Sequence, residues 1–176
     1  MSRGSLKLFC MVNTMDNDSL RTLARLLRFQ RVGALGTIRD GGPLVSMVLF
    51  AASPDNTKFW LHLSKLALHT KGILNDPHVG LMVAETDMGD RDPQMLGRVS
   101  IQGEAGEFTG GSSGYAEARS LYLTKFPEAE PSFGLGDLGL YCLEPSYARL
   151  VAGFGKIFTL SPQDFRDASA VELHPL

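Results

Sequence analysis

The sequence predicts a mainly β fold with a few crossover helices, arranged as a closed or split antiparallel barrel. Hydrophobic patterning indicates a helix, three hairpin-linked strands, a helix, two strands, a helix and two strands. A doubly wound parallel sheet requires strict alternation of strands and helices, and this order lacks it. The length of 176 residues and the hydrophobic share of 44% suit a single domain with one core.

The first half of the chain combines a helix with three strands. Apolar residues recur at three- and four-residue spacing after Asp18 and Ser19, either of which can cap a helix that runs to about Gln30. Turn-forming residues separate the strand segments, and the change from strand to helical spacing falls at Ser64. The predicted strands are 32–38, 43–52 and 57–63, the turns are 39–42 and 53–56, and the second helix is 64–75.

The second half predicts two pairs of strands around a third helix. Gly153 and Gly155 interrupt the last strand, either because a ligand or another backbone approaches closely or because a β-bulge bends the barrel. Ser161, Pro162 and Asp164 suit the start of a short terminal helix. The predicted strands are 79–85, 98–108, 138–143 and 148–158, and the third helix is 115–126.

The chain is divided into an amino-terminal extension (1–16), one domain (17–160), and a short helix with a tail (161–176). Met15 precedes a helix cap and resembles a natural start, which makes residues 1–14 a candidate upstream extension of the reading frame. Seventeen basic and nineteen acidic side chains give a formal charge of -2, so we expect no nucleic-acid partner.

Nothing in the pattern indicates a membrane, a disulfide or a metal site. The apolar run at 6–12 is too short for a spanning helix or a secretory signal, so we expect a cytoplasmic protein. Cys10 and Cys142 are interpreted as a mobile thiol and a buried small hydrophobe. The acidic loop lacks the register of a calcium site and is interpreted as solvated; its carboxylates are Glu85, Asp87, Asp90 and Asp92.

Four segments, in order, resemble the FMN-binding split-barrel superfamily of pyridoxamine 5'-phosphate oxidase, and specifically its haem-utilisation branch. They are GPLVSMV at 42–48, SKLALHTKGI at 64–73, GRVSIQG at 97–103, and LYCLEP at 140–145 running on to GFG at 153–155. The resemblance covers about residues 20–160. It implies a six-stranded antiparallel split β-barrel and a homodimer that holds FMN where two subunits meet, burying the faces of 43–50 and 98–108.

The resemblance also shows two departures from the family pattern. Pyridoxamine phosphate oxidases carry Arg/Lys-rich motifs where this chain has Ser46 and, before the crossover helix, Leu68-His69-Thr70, so their substrate chemistry is in doubt here. Haem-degrading relatives carry a haem-ligating His in a carboxy-terminal region, and His174 is the terminal candidate for that role. The alternative is a solvent-exposed tail residue.

FMN requires an anion cradle for its phosphate, an apolar slot for its ring, and a few polar groups. The amino end of the crossover helix favours a phosphate through its free N–H groups and its dipole. Ser64, His69, Thr70 and Lys71 can add donors there. In the alternative interpretation, Ser64 is a plain helix cap, and His69 and Lys71 lie on a solvated face.

The flavin ring itself is assigned by family position. Ser46, Met47 and Val48 are placed beside the ring and ribityl chain, with Trp60 and Leu61 at the flavin edge. Each assignment has an alternative: a local hydrogen bond for Ser46 and core packing for Trp60. Arg98 contacts either the flavin or the Asp90/Asp92 loop, and Phe154 is held between glycines either beside the flavin or in a bulge.

These observations predict an FMN-binding flavoprotein, an oxidoreductase for a small molecule, with haem or a related tetrapyrrole as a candidate substrate or ligand. One alternative is a non-catalytic module that senses or stores flavin or haem. A true pyridoxamine 5'-phosphate oxidase is the weaker alternative, because the basic motif of the second strand is missing. No side chain stands out as a proton-transfer group, so the flavin would supply the chemistry.

Overall fold

A computed structural model describes residues 15–173, which form one eight-stranded antiparallel sheet curled into a split barrel, with four helices. Cys10 and His174 lie outside the described residues. The helices are Asn17–Phe29 (α1), Leu68–Asn75 (α2), Tyr115–Lys125 (α3) and Pro162–Ala170 (α4). The strands are Val32–Arg39 (β1), Gly42–Leu49 (β2), Ala51–Ala52 (β3), Phe59–Ser64 (β4), His78–Ala84 (β5), Arg98–Glu107 (β6), Leu138–Val151 (β7) and Ile157–Leu160 (β8).

The strand order is β2-β1-β5-β6-β7-β4-β3, and every pair is antiparallel. The split barrel predicted from the sequence is therefore confirmed, with eight strands rather than six. β7 is one strand of 14 residues, whereas the sequence predicted two separate strands at 138–143 and 148–158. One edge of β7 pairs with β6, and the other edge pairs first with β4 and then with β8. The two predicted strands are therefore parts of one continuous strand that changes its partner.

The β1–β2 hairpin forms the turn predicted at 39–42. Asp40 and Gly41 have φ values of 51° and 77°, the left-handed backbone that a two-residue turn of this kind requires. The prediction that two glycines interrupt the last strand was wrong. Gly153 and Gly155, with φ of 119° and 74°, lie in the turn that joins β7 to β8 and do not interrupt a strand.

The first helix begins slightly earlier than its sequence pattern indicated. Asp16 is the cap, and its Oδ1 accepts a hydrogen bond from the Ser19 backbone N–H at 2.8 Å. Ser19 is buried inside the helix, so neither predicted cap was correct. Ser161 and Asp164 do form a reciprocal capping box at the start of α4, as the sequence indicated.

The barrel interior is filled by alternate strand residues together with one face of α1 and α4. Phe50, Phe59 and Phe165 form an aromatic contact chain through this core, with ring centroids 6.3 and 6.1 Å apart. A second buried cluster lies under α3 and includes Trp60 and Tyr122. In the described part of the chain, no helix is long and apolar enough to cross a membrane.

Lys125 of α3 is largely buried between these elements. Its Nζ lies 4.1 Å from the centroid of the Phe50 ring and donates a hydrogen bond to the Leu27 carbonyl oxygen at 3.2 Å. Burial lowers the pKa of Lys125 to about 8. The fold thus makes this amine easier to deprotonate than a lysine in water, because removing an ammonium group from water is costly, and the ammonium form still predominates at neutral pH.

Replacing Gly103 by Ala should destabilise the barrel at the point of β6 that faces the bulge of β7 at Ser146. A Cβ at Gly103 would lie 2.1 Å from the Glu144 carbonyl oxygen, and because the obstacle is backbone we expect a loss of ~1–3 kcal/mol or more. Gly106→Ala on the same strand is the matched control, because nothing lies within 4 Å of its Cβ. Urea unfolding measures both, and equal stabilities of the two variants would contradict the close approach.

The difference in unfolding free energy between the wild-type protein and the variant Lys125→Met should depend on pH. The pKa of Lys125 is about 8 in the folded protein and about 10.4 in an unfolded chain, so between these values the unfolded state binds more protons. Stability of the wild-type protein should therefore rise relative to Lys125→Met from pH 8 to pH 10, by roughly 2 kcal/mol. Urea unfolding across this range gives the difference, and a constant difference would show that the amine is not desolvated.

Candidate functional site

The barrel is open on one side, and a cleft lies there. The strand order ends at β2 and β3, and β2 approaches β4 without pairing to it. Between β2, the end of β4 and the start of α2 lies a cavity of about 210 Å³, which we name the β2–β4 cleft. Its lining residues are Met47, Val48, Leu49, His62, Leu63, Ser64, Ala67 and His69.

A second hollow adjoins the cleft across β2. It has a volume of about 310 Å³ and shares Met47 with the cleft, while Ser46 lines only this outer hollow. Of the site residues predicted from the sequence, the cleft therefore brings together Met47, Val48, Ser64 and His69. Ser46 lies next to them, but its side chain is on the opposite face of β2 from Val45 and Met47, across from the buried Leu35 of β1.

The amino end of α2 differs from its sequence prediction. Ser64 is the last residue of β4, and Ala67 takes the capping position of α2 with no side-chain hydrogen bond. Ser64 Oγ instead accepts a hydrogen bond from the Leu66 N–H at 3.2 Å. The predicted start of the helix at Ser64 was thus wrong, and so was the alternative in which Ser64 caps the helix, because three residues of turn separate the strand from the helix.

This uncapped helix end leaves backbone amides free. The first helical hydrogen bond runs from the Lys71 N–H to the Ala67 carbonyl at 3.1 Å, so the amides of residues 68–70 precede it. Lys71 is exposed and forms no ion pair with any residue in the range 15–173. Free amides, a helix dipole and a cation at one end of a cleft favour an anion.

The remaining predicted residues lie outside the cleft lining. Thr70 and Leu61 are completely buried, and Trp60 packs in the second core cluster, 5.0 Å from the Phe108 ring. Arg98 donates to the carbonyl oxygens of Leu96 and Gln94, at 3.1 and 3.4 Å, rather than to Asp90 or Asp92. Phe154 is 82% exposed in the β7–β8 turn.

His62 is the cleft residue that the sequence interpretation missed. It is half-buried on β4, two residues before Ser64, and residues two apart on a strand share a face. That spacing could have identified it. Burial lowers the pKa of both His62 and His69, so both imidazoles are neutral at neutral pH.

In the acidic loop, the Glu85 carboxylate is occupied by hydrogen bonds from the protein itself. Glu85 accepts hydrogen bonds from the Arg91 guanidinium at 2.7 Å and from the Gly97 N–H at 2.8 Å. Among residues 15–173, no group of three or more His, Cys, Asp or Glu side chains is placed to hold a metal ion. Cys142 is a free thiol whose pKa is raised to about 11 by burial, so it is unreactive at neutral pH.

An open barrel with an uncapped helix end and a cleft beside an apolar strand defines the class of split-barrel proteins. The chain belongs to the pyridoxamine 5'-phosphate oxidase family, whose model matches residues 20–152. The resemblance to this superfamily is thereby confirmed.

Several relatives have names that refer to haem. The chain is 35% identical over 121 residues to the non-canonical chloroplast heme oxygenase HOZ of Arabidopsis thaliana. The aligned region is 68% of this chain and 35% of that protein. The chain thus spans about a third of the plant protein's length.

Solved structures share the fold. A heme binding protein from Mycobacterium smegmatis superimposes with a TM-score of 0.75 at 21% identity, over 86% of this chain and 61% of that one. ChuZ of Campylobacter jejuni gives 0.74 at 16% identity, over 94% and 69% of the two chains. The heme storage protein HutZ of Vibrio cholerae gives 0.64 at 17% identity, over 81% and 93%.

Proposed function

We propose that this protein binds FMN in the β2–β4 cleft, works as a cytoplasmic homodimer, and is an oxidoreductase whose small-molecule substrate is haem or a related tetrapyrrole. The observation that carries the proposal is the uncapped amino end of α2. It offers the free amides of residues 68–70 beside a cleft that His69 lines.

The phosphate of FMN fits this end of the cleft. A dianion gains from the helix dipole and from several N–H donors that point past the first turn. His69 is neutral, so one of its ring nitrogens donates, and Lys71 supplies a full charge nearby. Ser64 keeps its hydroxyl proton for a ligand, because its oxygen serves as the acceptor for Leu66.

The flat ring of FMN fits the other side of the cleft. Met47, Val48 and Leu49 form an apolar wall along β2, where a ring can exclude water. The cleft alone is too small for all of FMN, so the ligand would extend over Met47 into the adjoining hollow. When bound, the flavin would supply the redox chemistry, and the residues of the chain would position it.

The outer face of the sheet supports a dimer. Val45 and Met47 of β2 are 67% and 74% exposed, and Met82 of β5 lies opposite Ala34 in the same row as Met47. A contiguous exposed apolar face of this kind is typical of an interaction surface. The outward face of β6 is polar, at Ser100, Gln102 and Glu104, so the apolar part of the interface would come from β2, β1 and β5.

Haem enters the proposal through the plant relative, whose name describes a heme oxygenase. The second candidate function is a non-catalytic module that holds flavin or haem. The observation that favours it is the pair of neutral imidazoles in the cleft, His62 and His69, because neutral imidazole is a common axial ligand of haem iron. A pyridoxamine 5'-phosphate oxidase remains the weakest candidate, since Ser46 replaces the basic motif.

Replacing His69 and Lys71 together by Ala should weaken FMN binding at least ~10-fold, because contacts to a charged phosphate contribute about 1.5–3 kcal/mol each when sheltered. Riboflavin, which lacks the phosphate, should bind equally to the variant and the wild-type protein. Lys58→Ala is the control, since Lys58 pairs with Glu144 outside the cleft. Fluorescence titration measures each affinity.

Two results of this titration would change the conclusion. Unchanged FMN affinity in the folded double variant would remove α2 from the site. Failure of the wild-type protein to bind FMN, together with a Soret band on addition of haem, would favour the non-catalytic haem module.

Placing a charge on the outer face should break the dimer. Met82→Glu would bury a carboxylate in an interface that we expect to exceed roughly 2,000 Å² in total, so sedimentation at micromolar concentration should show a monomer. Met88→Glu is the matched control, because Met88 is 76% exposed in the β5–β6 loop. A wild-type monomer that holds one FMN per chain would contradict a shared site.

A further inference from the structure

His62 is held more firmly than any other polar side chain of the cleft. Its ring stacks on the Phe133 ring with centroids 3.9 Å apart and planes inclined by 2°. The Tyr122 ring contacts it edge-on at 5.7 Å. Ser132 Oγ lies 3.4 Å from its Nδ1. Two aromatic contacts and a polar contact therefore set both the plane of the imidazole and its rotation.

The hydrogen bonds of Ser132 determine which ring nitrogen carries the proton. Ser132 Oγ donates its only hydrogen to the Ala129 carbonyl oxygen, at 2.6 Å. Towards His62 this oxygen can therefore act only as an acceptor, so Nδ1 must be the protonated nitrogen. Burial lowers the pKa of His62 and keeps the ring neutral, which leaves a lone pair on Nε2.

The position of the ring directs this lone pair to the cleft. His62 lines the cleft, whereas Ser132, Phe133 and Tyr122 do not. The edge that carries Nδ1 thus faces away from the cleft, and Nε2 is the polar atom left for a ligand. Most neighbouring groups in the cleft are aliphatic or thioether side chains, which offer a ligand no strong acceptor.

We propose that His62 is the specificity-determining residue of the cleft, a fixed acceptor whose Nε2 receives a hydrogen bond from a ring N–H of the bound ligand. The inference rests on the proposed function in naming that ring as the flavin, whose oxidised form carries one ring N–H, in its pyrimidine part. A ligand that presents an acceptor at this point would be rejected, because two lone pairs would meet where water is excluded.

The protonation of His62 can be tested without any ligand. Nitrogen-15 NMR of the histidine side chains distinguishes the two neutral tautomers, and we expect His62 to carry its proton on Nδ1. Ser132→Ala removes the acceptor and should shift His62 towards the Nε2-protonated form. A wild-type His62 that is already protonated on Nε2 would overturn the inference, since that atom could then only donate.

The role in recognition is tested with a matched pair of ligands and a matched pair of proteins. Methylation of FMN at its pyrimidine N–H should weaken binding to the wild-type protein about tenfold, the effect of one lost hydrogen bond. His62→Phe keeps a ring against Phe133 and loses both nitrogens, so it should bind FMN and methylated FMN equally. Far-ultraviolet circular dichroism and the thermal midpoint check that this variant folds.

The outcomes separate this inference from the proposed function. Normal FMN binding with the same penalty for methylation in both proteins would overturn the role of His62 and leave the FMN site intact. A wild-type protein that binds no FMN would overturn the proposed function and, with it, the assignment of the flavin N–H as the donor.

Discussion

The pairing of β7 is the constraint on which the rest of the structure depends. Residues 141–151 of this strand pair with β6, and its other edge pairs with β4 first and with β8 afterwards. The bulge of β7 at Ser146, opposite Gln102 and Gly103 of β6, lets the strands bend at the change of partner. Because β4 is held on the far side of β7, its end comes opposite β2 and the cleft forms.

The polar groups of the cleft depend on the fact that α2 does not begin directly at the end of β4. The chain makes a turn after Ser64 before α2 begins, and the capping position falls on Ala67, which has no group to satisfy the first amides. A Ser at that position could have accepted a hydrogen bond from one of these amides and capped the helix. The same turn places His69 in the lining of the cleft and leaves Lys71 exposed to solvent, so one short segment supplies the groups that we propose for the phosphate.

The orientation of His62 in the cleft is set by side chains that do not themselves line the cleft. The imidazole of His62 takes its plane from Phe133 and its tautomer from Ser132, both in the segment between α3 and β7. That segment is about seventy residues away along the chain, yet it decides whether the cleft offers a donor or an acceptor. Arrangements of this kind are typical of binding sites, where surrounding packing orients the contacting residue.

The sequence by itself determined the order of the elements, the β1–β2 turn at Asp40-Gly41 and the capping box at Ser161, because these depend on local backbone preferences and short-range periodicity. It also indicated the family and four of the residues that line the cleft. Only the tertiary structure decided that β7 is continuous, that α2 starts after Ser64, and that Phe133 and Ser132 orient the His62 imidazole. Each of these depends on partners distant in the chain, and local patterning carries no information about such pairing.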